Sequence, residues 1–310
     1  MAEALGLPEG DGVATLAVTA PEIAFSVVIF VLGCCVGSFL NVCIWRMPRG
    51  LSVNQPRRSF CPRCGKPIRG ADNIPLLSFM LLRGKCRDCG APISWRYPLV
   101  EAATGLLMLS LYLVQRVGGG TERGQVIAMG LLCALLVVAS AVDMEFFIIP
   151  DEVSLFGLLG GLAAGLLLPG LHVGDAPHHT LRALTGLRAM DGLIGSAIGA
   201  LAGGGLVLVF AVIGELIFRK EAMGFGDVKL MAMVGAFLGW KVAVLTFFIA
   251  PFFGLLYGIP LLIIKKEHVM PFGPFLSAGA VLVMLLRSTA CGWFNRYVTM
   301  AGELVRAIFG

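Results

Sequence analysis

The stretch Gly224-Phe225-Gly226-Asp227-Val228-Lys229 lies between two long apolar runs of the sequence. A carboxylate at the edge of a hydrophobic segment is costly to bury, which makes Asp227 a candidate for function. Gly224 and Gly226 leave the backbone beside it without side chains, so an extended peptide could approach closely. Hydrolysis of a peptide by acid–base chemistry needs a second group, and the stretch therefore predicts a partner carboxylate elsewhere in the chain.

The partner that the sequence offers is Asp143, at the end of another apolar run. Two neighbouring carboxylates cannot both ionise cheaply, so one of them keeps its proton. The ionised carboxylate can deprotonate a water molecule while the protonated one donates a hydrogen bond to the scissile carbonyl. Asp227 is expected to open a helix, where the helix dipole favours an anion, and Asp143 to close one. The pattern therefore predicts the charge on Asp227 and the proton on Asp143.

The composition is that of a membrane protein. Of the 310 residues, 57% are hydrophobic and 14% are charged, and the mean hydropathy is +0.88. Soluble domains have about 25% charged residues, which excludes an ordinary soluble fold. The 41 glycines favour close helix–helix packing in a bilayer, and the run Gly203-Gly204-Gly205 is assigned to such packing. The first 20 residues contain three acidic residues and no lysine or arginine, unlike a secretory signal peptide.

The positive charge is concentrated in one segment. Residues 45–98 contain eleven Lys or Arg and two Asp, whereas the rest of the chain is net negative. Cytoplasmic loops of membrane proteins are enriched in basic residues, so this segment is predicted to be cytoplasmic and the N-terminus external. Nucleic-acid binding is the alternative interpretation of a basic segment. Membrane topology explains the charge without it, and membrane lipid, not nucleic acid, is the predicted partner.

The apolar runs predict an all-α polytopic membrane protein with about eight transmembrane helices. The predicted spans are residues 23–44, 99–117, 125–142, 151–168, 192–218, 227–240, 242–264 and 272–286. Counting from an external N-terminus, Asp143 and Asp227 both lie at cytoplasmic helix ends. The domains predicted from this pattern are a tail with the first helix (1–44), a cytoplasmic domain (45–98) and a transmembrane aspartyl peptidase core (99–310).

Two cysteine knuckles form an internal repeat in the cytoplasmic segment, each a C-x-x-C followed by Gly and then Pro-Ile. Four thiolates from two tight turns suit a tetrahedral Zn²⁺ site. A redox pair or disulfides are the alternative, but the cytoplasm is reducing and the duplication favours a structural zinc that would stabilise a small domain. The predicted zinc ligands are Cys61, Cys64, Cys86 and Cys89. The other five cysteines lie in or beside apolar spans and are interpreted as small packing residues.

These features resemble the bacterial type IV prepilin peptidases, the bifunctional leader peptidases and N-methyltransferases of pilus and type II secretion systems. The resemblance covers nearly the whole chain. Besides the cysteine knuckles, its motifs are Gly37-Ser38-Phe39-Leu40-Asn41-Val42, Trp45-Arg46, Asn73-Ile74-Pro75-Leu76-Leu77-Ser78, Leu82-Arg83-Gly84-Lys85-Cys86, Arg96-Tyr97-Pro98-Leu99-Val100-Glu101, Asp143 before Ile149-Pro150-Asp151, Gly224-Phe225-Gly226-Asp227-Val228-Lys229, and Pro271-Phe272-Gly273-Pro274-Phe275.

The resemblance implies that Asp143 and Asp227 are the catalytic aspartates. It implies prepilins and pseudopilins as substrates, whose basic leader is removed after a glycine at the cytoplasmic face of the bacterial inner membrane. It further implies that S-adenosylmethionine then methylates the new N-terminal amine, and it assigns Gly84 and Lys85 to the methyl-transfer region. The Gly-x-Gly-Asp element is shared with presenilin-like proteases, so a peptidase without methyltransferase activity is one alternative.

An ion-coupled transporter is a second alternative, because transporters also use paired membrane carboxylates. Those pairs usually lie near the bilayer midplane, whereas the carboxylates predicted here lie at helix ends. A purely structural zinc scaffold would leave Asp143 and Asp227 unexplained. Lys229 is predicted to be an interface anchor, and Asp151 an exposed first-turn residue. The basic segment would not attract a basic leader, so four acidic residues are hypothesised to meet it. They are Glu145, Asp151, Glu152 and Glu221.

Overall fold

The structure is a computed structural model that describes most of the chain. The described residues are 20–118, 123–172, 188–219, 223–265, 270–287, 289–292, 294–296, 299–300 and 303. Within them the regular structure is helical, apart from the isolated β-bridges Phe60–Pro67 and Lys85–Pro92. The acidic N-terminal tail, most of the predicted external loop before residue 188 and Glu221 lie outside the described residues.

The helices follow the predicted order. They are α1 (Ala20–Arg46), α2 (Leu77–Leu81), α3 (Arg96–Gly118), α4 (Arg123–Phe146), α5 (Asp151–Leu167), α6 (Arg188–Phe218), α7 (Phe225–Leu238), α8 (Trp240–Lys265) and α9 (Gly273–Leu285). Short 3₁₀ segments cover Met47–Arg49, Gly70–Asn73 and Pro169–His172. Each of the eight predicted helices is present with its ends displaced by a few residues, and the short α2 is an addition.

Five of these helices are long and apolar enough to cross a membrane: α1, α3, α4, α6 and α8. A sixth results if α9 and the helical segment Thr289–Arg296, bent by 85°, are taken as one span. Helices α5 and α7 have 17 and 14 residues, fewer than the ~20 that a perpendicular span needs. The described part of the chain therefore has five helices, or up to six, that could span a membrane, and the total of about eight spans stays a prediction.

Helix α7 lies at the centre of the bundle, and most of its residues from Leu230 onward are buried. It packs against α6 backbone to backbone, since a Cβ added at Gly235 would lie 1.9 Å from the Gly199 carbonyl oxygen. A Cβ at Gly203 would lie 2.3 Å from the Met231 carbonyl oxygen. The packing role predicted for the glycine run is thus confirmed for Gly203, and this contact fixes α7 inside the bundle.

Helices α1 and α3 form a second packed pair, and the cysteine segment connects them. A Cβ at Gly37 of α1 would lie 2.8 Å from the Glu101 Cα of α3, so the two backbones are in close contact. At the end of α1, the buried Arg46 donates from Nη1 to the carbonyl oxygens of Ser52, Val53 and Pro56 at 2.8–3.1 Å. The arginine thereby attaches the start of the cysteine module (residues 47–95) to the helix.

Candidate active site

Asp143 and Asp227 line one cavity of about 720 Å³, which is called the aspartate cavity here. Asp143 lies in the last turn of α4 and Asp227 in the first turn of α7, and both are less than 10% exposed. The remaining wall is apolar, with residues of α8 and α9 such as Leu255, Ile259 and Phe275. The structure therefore brings together two carboxylates that are 84 positions apart in the sequence and surrounds them with hydrophobic groups.

Local backbone geometry sets the position of Asp227. Gly224 precedes α7 in an extended conformation, and its carbonyl oxygen accepts the Asp227 N–H at 3.0 Å. Gly226 has a packing role, since a Cβ there would lie 3.2 Å from Ile149 Cβ, closer than most such contacts. Glycine at position 226 thus lets the helix approach the segment after α4 without displacing the Ile149 side chain. Close approach of a substrate peptide at Gly224 stays a prediction.

Asp143 is held by a residue that the sequence analysis did not single out. The Gly273 N–H, at the start of α9, donates to Asp143 Oδ2 at 2.9 Å. A Cβ at position 273 would lie 2.7 Å from that same oxygen, so only glycine allows the contact. Gly273 is the central residue of the Pro271-Phe272-Gly273-Pro274-Phe275 motif. The motif marked this segment in the sequence but did not indicate a contact with Asp143.

The side chains that follow each aspartate form ion pairs. Lys229 Nζ lies 2.6 Å from Asp151 Oδ1 and 5.0 Å from the centre of the Phe225 ring. The lysine predicted to anchor at lipid headgroups therefore connects α7 to α5, while Asp151 is exposed in the first turn of α5, as predicted. Glu145 pairs with Arg96, and its other oxygen lies 4.0 Å from Arg49. Two of the acidic residues hypothesised to meet a leader already have basic partners within the chain.

The four cysteines of the two knuckles form one cluster. Their sulfur atoms all lie within 4.8 Å of one another, and Cys61 Sγ is 3.9 Å from Cys89 Sγ. Tetrahedral zinc with Zn–S bonds of about 2.3 Å needs sulfur atoms roughly 3.8 Å apart, so the cluster is compatible with the ion. Burial alone would raise the pKa of Cys61, but backbone hydrogen bonds from Cys64 and Arg63 and the neighbouring thiols lower it to about 7. A thiol of this kind readily supplies the thiolate that a metal binds.

The two knuckles repeat the same backbone turn. The Gly65 N–H donates to the Cys61 carbonyl oxygen at 2.8 Å, and the Gly90 N–H to that of Cys86 at 2.9 Å. Gly65 and Gly90 have φ angles of 70° and 68°, a region that favours glycine. The sequence repeat is therefore also a structural repeat, and it places four ligand atoms around one point.

Gly84 and Lys85 lie directly before the second knuckle. Gly84 has a φ angle of 67°, and a Cβ there would lie 3.1 Å from the ring of Phe79. Lys85 forms the β-bridge with Pro92. These contacts show how both residues pack within the cysteine module. Their assignment to methyl transfer stays a prediction.

Comparison with known proteins identifies the family of the chain. Residues 130–259 match the family model described as type IV leader peptidase family, and residues 31–115 match the bacterial peptidase A24 N-terminal domain. The prepilin leader peptidase/N-methyltransferase of Aeromonas hydrophila is 34% identical over 300 residues, which cover 88% of this chain and 94% of that protein. The chain belongs to the type IV leader peptidase family.

Other members of the family show similar agreement. The prepilin leader peptidase/N-methyltransferase of Pseudomonas aeruginosa is 34% identical over 290 residues, covering 85% of this chain and 91% of that protein. The protein of the same name from Myxococcus xanthus is 39% identical over 240 residues, covering 77% of this chain and 64% of its own length. No solved structure matches the chain. The resemblance inferred from the motifs is thus confirmed, and the two aspartates and four cysteines fall within the two matched segments.

Proposed function

We propose that Asp143 and Asp227 form the water-activating pair of this chain, which acts as a prepilin leader peptidase and N-methyltransferase. The observation that supports the pair most strongly is that two buried carboxylates, from distant parts of the sequence, line the same apolar cavity of about 720 Å³. The pair and its two supporting glycines, Gly224 and Gly226, also lie in the segment that matches the peptidase family.

The two carboxylates share one proton, because two charges in one apolar cavity are costly. The ionised carboxylate takes a proton from a water molecule, whose oxygen attacks the carbonyl carbon of the glycine that ends the leader, and the C–N bond to the next residue then breaks. The protonated carboxylate donates to the carbonyl oxygen and later supplies the proton that the leaving amine needs. The Gly273 N–H fixes Asp143 Oδ2, which leaves Oδ1 for these transfers. The assignment of the charge to Asp227 rests on its place in the first turn of α7.

The cavity suits a substrate that reaches it from the bilayer. Leu255 and Ile259 line the cavity and are also more than half exposed, so the same part of α8 faces both the lipid and the carboxylates. A prepilin presents a basic leader followed by a hydrophobic helix. Lateral access past this wall would bring the junction between the two to the carboxylates while the leader stays in the cytoplasm.

The proposed location is the bacterial inner membrane, with the N-terminus outside and the active site at the cytoplasmic face. Support comes from the basic cysteine module, which topology rules place in the cytoplasm. Arg96, where that module meets α3, pairs with Glu145, two residues after Asp143. The carboxylate pair and the module therefore lie on the same side of the bundle.

The four cysteines are proposed to hold a structural zinc, and S-adenosylmethionine is the proposed co-substrate of methylation. Cys61, Cys64, Cys86 and Cys89 offer four sulfur ligands with suitable separations, and a bound zinc would hold the two knuckles together. Methylation is supported by the relatives, which are named as N-methyltransferases. A transporter or a peptidase without methyltransferase activity is not favoured by these names.

Cleavage of a prepilin by the purified protein in detergent tests the pair. Asp143→Asn and Asp227→Asn should each lower cleavage by about a thousandfold or more, because the second carboxylate has no partner for proton exchange. Glu215→Gln is the matched control, since this exposed carboxylate of α6 lies outside the aspartate cavity. Full activity of either aspartate variant would refute the pair.

A further inference from the structure

A second cavity, of about 560 Å³, lies between the cysteine module and the ends of α1, α3 and α4. It is called the module cavity here. Its volume is in the range of sites for small molecules, about 300–1,000 Å³. Glu145 of α4 lines it, whereas Asp143 and Asp227 do not. The protein thus has a second chamber that the peptidase reaction does not use.

Two buried polar side chains that line the module cavity, Asn41 and Glu101, have hydrogen-bonding capacity left for a ligand. Asn41 is 2% exposed and donates from Nδ2 to the Tyr97 carbonyl oxygen at 3.0 Å, but its buried Oδ1 accepts no hydrogen bond from the described residues. The buried Glu101 accepts the Leu76 N–H at 2.8 Å and a hydrogen bond from the Ser38 side chain. A carboxylate has room for several donors. An unsatisfied acceptor and a buried carboxyl group that line the same cavity point to a ligand with several N–H groups.

Other residues in the wall of the module cavity could bind an anionic group or a flat ring. The Nε of Arg96 is buried and has no hydrogen-bond partner among the described residues, so it could donate to an anionic group. Aromatic side chains, including Phe60 and Phe79, also line the module cavity. Aromatic faces bind flat rings and cations. A ligand that combines a purine, a positive centre and a carboxylate would therefore meet a suitable partner for each part.

We propose that Glu101 and Asn41 hold the amine substrate of methylation: in the module cavity, beside bound S-adenosylmethionine, the Glu101 carboxylate and Asn41 Oδ1 accept hydrogen bonds from the N-terminal amine of the cleaved pilin. This inference rests on the methyltransferase activity of the proposed function. The ammonium first loses a proton to water. The amine lone pair then forms the N–C bond while the C–S bond breaks, and the electron pair of that bond stays on sulfur. The products are a methylated secondary ammonium and a neutral thioether.

Helix α4 places the two chambers next to each other. Asp143 lines the aspartate cavity and Glu145 the module cavity, and a separation of two residues turns a helix by about 200°. The new N-terminus therefore has to pass the end of α4 after cleavage. Gly84 fits the same arrangement, because its close contact with the Phe79 ring supports a cavity wall without lining the cavity.

Glu101→Gln tests the amine contact. A glutamine can still accept the Leu76 N–H but has no charge for an ammonium or amine. Methylation of a synthetic peptide with the N-terminus of a cleaved pilin should fall at least tenfold in kcat/KM, mostly through KM. Prepilin cleavage should stay within twofold of wild type, and Glu215→Gln should leave both reactions unchanged. Methylation at the wild-type KM would overturn the inference, and so would an equal loss of both reactions.

A second variant tests the location of the methyl donor without relying on activity. Ile93 lines the module cavity, and Ile93→Trp would fill part of it. Binding of radiolabelled S-adenosylmethionine, measured by equilibrium dialysis, should weaken at least tenfold while prepilin cleavage persists. Binding at wild-type affinity would overturn the inference. If the wild-type protein itself neither binds the donor nor methylates the peptide, the proposed methyltransferase function fails instead, which separates the two claims.

Discussion

The aspartate cavity and the module cavity differ in what surrounds their carboxylates. Among the described residues, Asp143 and Asp227 are the charged side chains that line the first, and the wall around them is mainly apolar. Glu101 and Glu145 line the second together with arginines such as Arg96. A dry, apolar surrounding favours a shared proton and an activated water, whereas mixed charges suit a ligand that itself bears both signs. The two reactions of the family thus match two different electrostatic environments on either side of α4.

Among the variants that should affect one reaction and not the other, Gly273→Ala is expected to have the largest effect. Its Cβ would lie 2.7 Å from Asp143 Oδ2, so the carboxyl group must move. A displacement of about 1 Å at a catalytic group can cost around a hundredfold in rate. Prepilin cleavage should fall by about that factor, while methylation of a pre-cleaved peptide should persist.

Gly205→Ala is the control for this substitution, because a Cβ there would have no neighbour within 4 Å. Cleavage by Gly273→Ala at the rate of Gly205→Ala would mean that the Gly273 contact does not position Asp143.

Loss of the zinc should lower methylation more than prepilin cleavage, the reverse of the effect of Gly273→Ala. Cys89→Ser removes one of the four sulfur ligands, so metal analysis should find little zinc in the purified protein. Because the knuckles build the wall of the module cavity, methylation should fall about tenfold or more, and cleavage should change by less than threefold.

Cys35→Ser is the matched control, since this exposed cysteine of α1 is remote from the cluster. Unchanged zinc content in Cys89→Ser would contradict a four-sulfur site. A larger loss of cleavage than of methylation would contradict the assignment of the module to the second reaction.

A smaller effect is expected at the contact between the start of α3 and the end of α4, where the module cavity lies close to Asp143. Arg96→Gln removes the ion pair that connects α3 to Glu145 at the end of α4. We expect methylation to fall about three- to tenfold, since a charge-assisted hydrogen bond contributes on the order of 1 kcal/mol or more. Failure of this variant to affect methylation at all would remove the pair from the account.

The smallest effect is expected from the ion pair of Lys229 and Asp151. The Asp151 side chain is 70% exposed, and exposed pairs contribute about 1 kcal/mol or less. Asp151→Asn and Lys229→Met should therefore change cleavage by less than about fivefold. A loss of a hundredfold in Lys229→Met would show that this residue acts in the chemistry instead of in the packing of α7 against α5.

The sequence predicted those features whose signal is local. Asp143 and Asp227 were recognisable because carboxylates at the ends of apolar runs are costly, and the cysteine cluster was recognisable because the knuckle is repeated. Helix order followed from hydropathy. The span count did not, because α5 and α7 are apolar but short, and apolarity alone does not reveal whether a buried helix crosses the bilayer.

The features that the sequence did not predict depend on distant partners. Gly273 contacts an aspartate 130 positions away, and Gly226 packs closely against Ile149. Asn41 is an ordinary polar residue near the end of a span in the sequence, and only the fold buries it and leaves its Oδ1 without a donor among the described residues. Such roles arise from tertiary contacts, which no local pattern reports.

The central claim is that one chain has two separate chambers for its two reactions. The most direct test mixes purified Asp227→Asn and Glu101→Gln proteins in detergent with a prepilin and S-adenosylmethionine, and mass spectrometry then detects methylated mature pilin. Alone, the first variant should leave the prepilin uncleaved, and the second should release mature pilin with little methylation. The mixture should produce methylated mature pilin, because each protein supplies the chamber that the other lacks. A mixture that yields no more methylated product than the Glu101→Gln protein alone would contradict the account.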